Sequence, residues 1–263
     1  MTVFKQELTF QRTSLIGWLV ALVATAVMFL ALYPTFTEGM DTLREAVSAF
    51  PSDVLRSFGM EGDTFFSDAG LVAYTFSYIH LMLAIMGLLW GLTVVGRERI
   101  DHMSDFLLTR PLSRTSAICQ KIAVGLVSIV VVNLILLLVS YASQLYFQMD
   151  DKTWHVLLAT LFMGALLHLL FFAIGSLMAV LMRTIDNPVG IASGVGLGFY
   201  VLLLMGRLVD NEAVMGLSPF RYADPLLLLE EGLEPMHVAG FLIVSVMALA
   251  VSILWFRRSD VEV

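Results

Sequence analysis

One cysteine in 263 residues, Cys119, excludes an internal disulfide and any cysteine-rich metal or redox centre within the chain. Charge is nearly as scarce. Asp, Glu, Lys and Arg make up 14% of the residues against 59% hydrophobic, a balance that a soluble domain would struggle to keep in solution and that a bilayer explains. No Gly-x-x-x-x-Gly-Lys-Ser/Thr phosphate loop occurs, so the chain carries no signature for cradling a nucleotide's phosphates. The polar residues inside apolar stretches, His80, Asn133 and His168, are scattered. They offer neither metal-ligand spacing nor a nucleophile beside a base, which argues against an intramembrane enzyme and leaves interhelical hydrogen bonds as their expected role. Nothing in the sequence points to nucleic acid as a partner.

Long charge-free windows are what the sequence has instead. Six of them run over 13–37, 69–96, 122–149, 153–182, 187–206 and 235–256. A helix needs about 20 apolar residues to cross roughly 30 Å of hydrocarbon, and a charge at mid-membrane costs on the order of 3 kcal/mol. The expected fold is therefore an all-α integral membrane protein, a single domain over 1–263, with spans at approximately 14–35, 70–95, 118–143, 155–182, 188–206 and 236–256. The first window is longer than a signal peptide's apolar region of roughly 7–15 residues and no cleavage pattern follows it, so it reads as a retained span.

The formal charge of −7 is distributed unevenly. With the N-terminus inside, the inner segments hold ten Lys/Arg against seven acids and the outer loops five against fifteen. That positive-inside bias predicts N-in, C-in orientation. Residues 1–13, with Val3, Phe4 and Leu8 among polar neighbours, read as an elbow helix lying on the inner leaflet before the first span. In the first outer loop Leu43, Val47, Phe50, Val54 and Phe58 recur at helical spacing, and Pro51 divides them into two short helices expected to rest on the outer face; a partly disordered loop is the competing reading. In the last outer loop Asp224 as N-cap, Pro225 at the first helical position and Gly232 beyond the end mark a helix of under two turns. Tight hairpins are expected at 150–152 and at 183–188, with Pro188 opening span five. Cys119, at the inner mouth of span three, reads as a small packing residue.

Only one inner loop is sizeable, 96–114. Ile100, Met103, Phe106 and Leu107 follow helical spacing, Arg99, Asp101, Asp105 and Arg110 surround them, and Pro111 stops the pattern. Such an amphipathic helix suits a groove on a cytosolic partner, or else lies on the membrane. In span five Gly190, Gly194 and Gly198 fall on one helix face, where another backbone can approach closely. Either a dimer seam or packing within one subunit accounts for that spacing.

The order of elements resembles the permease subunits of type-two ATP-binding-cassette (ABC) exporters. The likeness rests on Glu98, Asp105, Leu107-Leu108, Pro111-Leu112-Ser113-Arg114 and Lys121. It extends upstream to Leu32-Tyr33-Pro34-Thr35-Phe36, Pro51 and Phe58-Gly59, and downstream to Ser218-Pro219-Phe220 and Phe256-Arg257-Arg258-Ser259-Asp260, covering nearly the whole chain. Departures are His102-Met103, where the family often has Gly-Thr, and Asp105, where it usually has Glu. The resemblance implies a coupling helix over 98–110 that docks on a separate nucleotide-binding subunit, with Glu98, Arg99, His102, Asp105, Phe106, Leu107, Arg110 and Arg114 as the coupling residues. It implies that ATP and Mg are bound by that partner and none by this chain. It further implies a second permease, identical or homologous, with Gly190, Gly194 and Gly198 at the dimer seam or along a path lined partly by spans two and five. The location it implies is the bacterial plasma membrane. A non-transporting anchor or sensor subunit, as in resistance to membrane-active peptides, is the alternative role.

Overall fold

The computed structural model describes residues 3–60, 62–100 and 114–258, and these are almost entirely helical, with no strand among them. In chain order the helices are α1 (Val3–Ala31), α2 (Tyr33–Glu38), α3 (Met40–Ser48), α4 (Ser52–Phe58), α5 (Gly62–Phe65), α6 (Asp68–Trp90), α7 (Arg97–Ile100), α8 (Arg114–Phe147), α9 (Asp151–Leu181), α10 (Pro188–Leu208), α11 (Glu212–Gly216), α12 (Pro219–Tyr222), α13 (Pro225–Glu231) and α14 (Pro235–Arg258). A π-helical turn, Gly91–Val95, continues α6 to the edge of α7.

Six of these helices, α1, α6 with its π-turn, α8, α9, α10 and α14, are long and apolar enough to cross a membrane, as expected. α8 alone holds 34 residues, roughly 50 Å at 1.5 Å per residue, so it outruns the hydrocarbon layer. Local chemistry sets the ends. Ser67 caps α6 by accepting from Gly70 N at 3.0 Å. Asp150 caps α9 by accepting from Lys152 N and Thr153 N, and Asn187 caps α10 by accepting from Gly190 N at 2.8 Å, with Pro188 at the first helical position. Asp224, Pro225 and Gly232 bound α13 as the sequence predicts. Each cap satisfies an orphan amide that would otherwise go unpaired.

Burial is unequal among the spans. Within the apolar window 67% of span two and 61% of span four is buried, against 17% for spans one and six. Spans two and four form the centre and the others surround it. Trp90, Phe76, Phe171 and Phe172 are the largest apolar side chains sealed within that centre. Since lipid is as apolar as leucine, close packing rather than water exclusion holds such helices together. The outward faces of α8 and α14, with Val130, Leu134, Leu138, Ile243, Val246 and Met247, are left for lipid.

The short helices α2 to α5, between spans one and two, and α11 to α13, between spans five and six, lie at the end of the bundle opposite α7. Tyr33 donates to Asp68 Oδ2 at 3.3 Å and its ring lies 6.3 Å from that of Phe147. Proline 51 separates α3 from α4, as expected. At the other end Ile185, in the turn between spans four and five, packs on Gly96. Two expectations are corrected. No turn separates an elbow from span one, because α1 is continuous from Val3. Its buried face runs through Leu30, Ala26 and Leu22 and on through Gln11, Glu7 and Val3, which turns the N-terminal residues toward protein rather than the leaflet surface. Cys119 is exposed, so it does not pack within the chain.

Candidate functional site

Most of the expected coupling residues fall in or beside the 101–113 segment. His102, Asp105, Phe106, Leu107 and Arg110 lie outside the described residues. Glu98 and Arg99 belong to the short helix α7, and Arg114 is the first residue of α8. The structure thus describes the two stems from which the segment hangs.

Both stems are tied to α1 by charge. Glu7 lies almost wholly buried and its carboxylate accepts from two cations: Arg97 Nε at 2.8 Å and Lys121 Nζ at 3.0 Å. Arg97 follows the π-turn, and Lys121 sits in the second turn of α8 with its side chain fully buried. Lys121 also donates to the carbonyl of Val94 at 3.0 Å, within that π-turn. The widened turn shifts the hydrogen-bond ladder at the end of span two, and Lys121 satisfies one of its carbonyls. Around the cluster Gln120 Oε1 accepts from Phe4 N at 3.1 Å, Trp90 donates to Ser14 Oγ at 3.1 Å, and Arg97 stands 4.6 Å over the Phe10 ring. A buried ion pair brings little net stability, but removing one partner strands the other charge. The cluster therefore fixes the relative positions of α1, span two and span three at the base of the 101–113 segment.

Glu7 was visible only as one acid among seven on the inner side. A signal existed: Val3, Glu7 and Gln11 recur every four residues in register with Leu22, Ala26 and Leu30, which places the carboxylate on the stripe that faces protein.

In the membrane layer the intramembrane polar residues pair between helices, as expected. His80 Nε2 lies 3.0 Å from the carbonyl of Thr160, joining spans two and four. Asn133 Nδ2 bonds both Ile129 O at 2.8 Å and His168 Nδ1 at 3.2 Å, joining spans three and four. Trp90 flanks His168 at 5.7 Å between ring centroids. No cluster able to hold a metal occurs among the described residues.

The closest helix approach is one the sequence reading did not single out. A Cβ added at Gly91 would lie 2.5 Å from both Phe172 O and Ser176 N. At Gly175 it would lie 2.4 Å from Leu88 O, and at Gly87 2.7 Å from His168 O. Backbone meets backbone there, so spans two and four can cross only through glycine. The four-residue spacing of Gly87 and Gly91 was the available sign. In span five, Gly194 and Gly198 have open space where a side chain would go, and Gly190 meets only its own cap residue, Asn187. Packing within the subunit therefore does not explain the Gly190, Gly194 and Gly198 face. The residue that brings span five against span two is Gly196, whose added Cβ would fall 2.7 Å from Ile85 Cγ1.

A polytopic bundle with a tight helical core, polar links between its spans and a charge-anchored pair of stems has the build of a membrane permease. The chain belongs to the family of the multidrug efflux system permease Rv1217c, C-terminal domain, whose model matches residues 6–257. That match agrees with the resemblance to type-two ABC permeases. No curated protein matches the chain.

Proposed function

We propose that this chain is the membrane-spanning permease subunit of an ABC exporter, driven by a separate nucleotide-binding subunit through a coupling helix over 98–110. Closure of ATP-bound partner subunits would push on that helix, and its stems would pass the push to the spans. The Glu7, Arg97 and Lys121 cluster is the observation that supports this reading most. A load applied between residues 100 and 114 meets a base already tied to α1, so spans one to three respond as a unit instead of a loose loop absorbing the motion. The efflux named for the matched family supports outward transport of drug-like molecules. The positive-inside bias supports a cytosolic position for the stems in a bacterial plasma membrane. A second permease, identical or homologous, would seat on the open glycine face of α10.

The decisive experiment is co-purification with the cognate ATPase. Deleting residues 98–110, or reversing their charges, abolishes ATPase association while membrane insertion persists; retained association overturns the assignment. Labelling at 97–114 from the outside of intact cells would overturn the orientation.

A further inference from the structure

By the charge bias the end of the bundle that carries α2 to α5 and α11 to α13 is the outer one. Spans two and five meet tightly at Gly196 and Ile85. Ser77 stands eight residues nearer the outer end of span two than Ile85, and Tyr200 four residues nearer the outer end of span five than Gly196. At that level lies a cavity of about 10 Å³ whose polar wall is Ser77, His80, Tyr200, Arg207 and Asp224. A space on the order of 10–15 Å³ takes one water molecule, and a water held there needs about two to four polar partners.

Three of the five polar side chains are already engaged. His80 Nε2 lies 3.0 Å from the Thr160 carbonyl, and the ring also meets the backbone of Ala223. Arg207 and Asp224 are ion-paired and largely buried, and Asp224 Oδ1 accepts from Leu226 N at 3.2 Å. The two hydroxyls are different. Among the described residues neither Ser77 Oγ nor the Tyr200 phenol has a hydrogen-bond partner. Their neighbours do. Thr75, on the same helix as Ser77, donates back to Leu71 O at 2.9 Å, and Tyr74 and Tyr78 bond each other at 2.6 Å. Ser77 makes no such bond to its own helix, and Tyr200 is held edge-on by Phe220 with ring centroids 5.4 Å apart. Both residues are half-buried, and a half-buried hydroxyl without a partner costs free energy that a hydrogen bond recovers.

We propose that this cavity binds one ordered water molecule that bridges span two to span five. The water accepts from the Tyr200 phenol and donates to Ser77 Oγ and to the Asp224 carboxylate. Size and charge both select water: the space admits nothing larger, and the Arg207 and Asp224 pair leaves no net charge to hold an ion. A bridging water is nearly as good as a direct hydrogen bond. It ties the two spans nearer the outer end than the contact of Gly196 with Ile85, and it can leave without stranding a charge. This assignment does not depend on the ATPase reading, and its test needs no partner.

The test has two arms, both on the purified full chain. A crystal structure at a resolution that shows ordered waters should place a peak within about 3.2 Å of both Ser77 Oγ and the Tyr200 phenol oxygen. An empty cavity, or the two hydroxyls in direct contact, overturns the proposal. The second arm is the unfolding temperature in detergent. Tyr200→Phe lowers it by about 2–4 °C. Ser77→Val lowers it by a similar amount, because the added methyl group displaces an ordered water without replacing its bonds, whereas filling a dry void would raise it. In the Ser77→Val background Tyr200→Phe costs less than about 1 °C more, since the water is already gone. Thr75→Val is the control: Thr75 bonds within its own helix, so its effect adds to that of Tyr200→Phe. A Ser77→Val chain as stable as the wild type or more so, or full additivity of Ser77→Val with Tyr200→Phe, overturns the bridging water.

Discussion

Spans two and five carry glycines at the same four-residue spacing, and the fold uses them in opposite ways. Gly87 and Gly91 are closed against the backbone of span four, where an added Cβ would overlap carbonyl and amide atoms. Gly194 and Gly198 face open space. The spacing therefore says that a helix can be approached closely, not that it is. What separates the two cases is the neighbourhood. The span-two glycines share a helix with Phe76, His80 and Trp90, all sealed in the core, whereas Leu197, Val201 and Met205 beside the span-five glycines are 45–48% exposed.

The most direct way to break this comparison is a bulky residue at each position. Gly91→Leu should be the most damaging single change in the membrane layer, because the obstructing atoms are backbone and cannot rotate away. Overpacking costs about 1–3 kcal/mol where side chains can yield and more where they cannot. The expected result is aggregated or degraded protein in fluorescence-detected size exclusion, whereas Gly194→Leu stays folded and monodisperse. If the two variants behave alike, the distinction between sealed and open glycines is wrong.

Next in size is the charge cluster at the inner stems. Glu7→Ala strands the fully buried Lys121 and should lower stability by roughly 3–5 kcal/mol, read as a fall in unfolding temperature. Removing both charges by Glu7→Leu/Lys121→Met should recover most of that loss, since an apolar pair of similar volume carries no stranded ion. Arg97, a quarter exposed, can turn to water. A double variant as unstable as the single one would show that the cluster matters for its shape and not for its charge balance.

This contrast also marks how far the sequence could be read. The six spans, the Pro51 division of α3 from α4, and the Asp224 cap were legible because each follows from a local rule: a length set by the bilayer, a proline that cannot continue a helix, or an orphan amide needing a nearby oxygen. Glu7 was misjudged. Its role depends on Arg97 and Lys121, which are 90 and 114 positions away, and an acid among Val3, Phe4 and Leu8 looks like the polar side of a surface helix until its partners are known. Gly87 and Gly91 were passed over for the same reason, since only span four makes them necessary. The lining of the outer cavity could not be gathered either, because Ser77, Tyr200, Arg207 and Asp224 converge through tertiary contacts between α6, α10 and α13.

A milder prediction sharpens the span-five half of the comparison. If the open glycine face seats a second permease, Gly194→Leu with Gly198→Leu leaves the stability of the single subunit within about 0.5 kcal/mol but shifts the detergent-solubilised protein toward monomer. Cross-linking yield between single cysteines placed at Val201 of two copies reports the seam directly, with Cys119 first replaced by Ser. Undiminished cross-linking in the double-leucine variant would move the seam off α10.

The smallest effect is expected at the turn between spans three and four, where the stabilisation is local and exposed to solvent. The Thr153 hydroxyl and the amides of Lys152 and Thr153 donate to Asp150, which holds its carboxyl below the usual carboxylate range, the hydroxyl contributing most. A carboxylate depressed in the folded state gives stability that is present at neutral pH and is lost as the pH falls below the ordinary aspartate value toward the folded one. Asp150→Ala should therefore cost about 1 kcal/mol at pH 7, with the gap to the wild type closing on acidification. Asp150→Asn, which keeps the acceptor but not the charge, should recover most of the loss and show no such pH dependence. A gap between wild type and Asp150→Ala that stays constant down to pH 3 would mean that the carboxylate charge contributes nothing and that the cap acts through geometry alone.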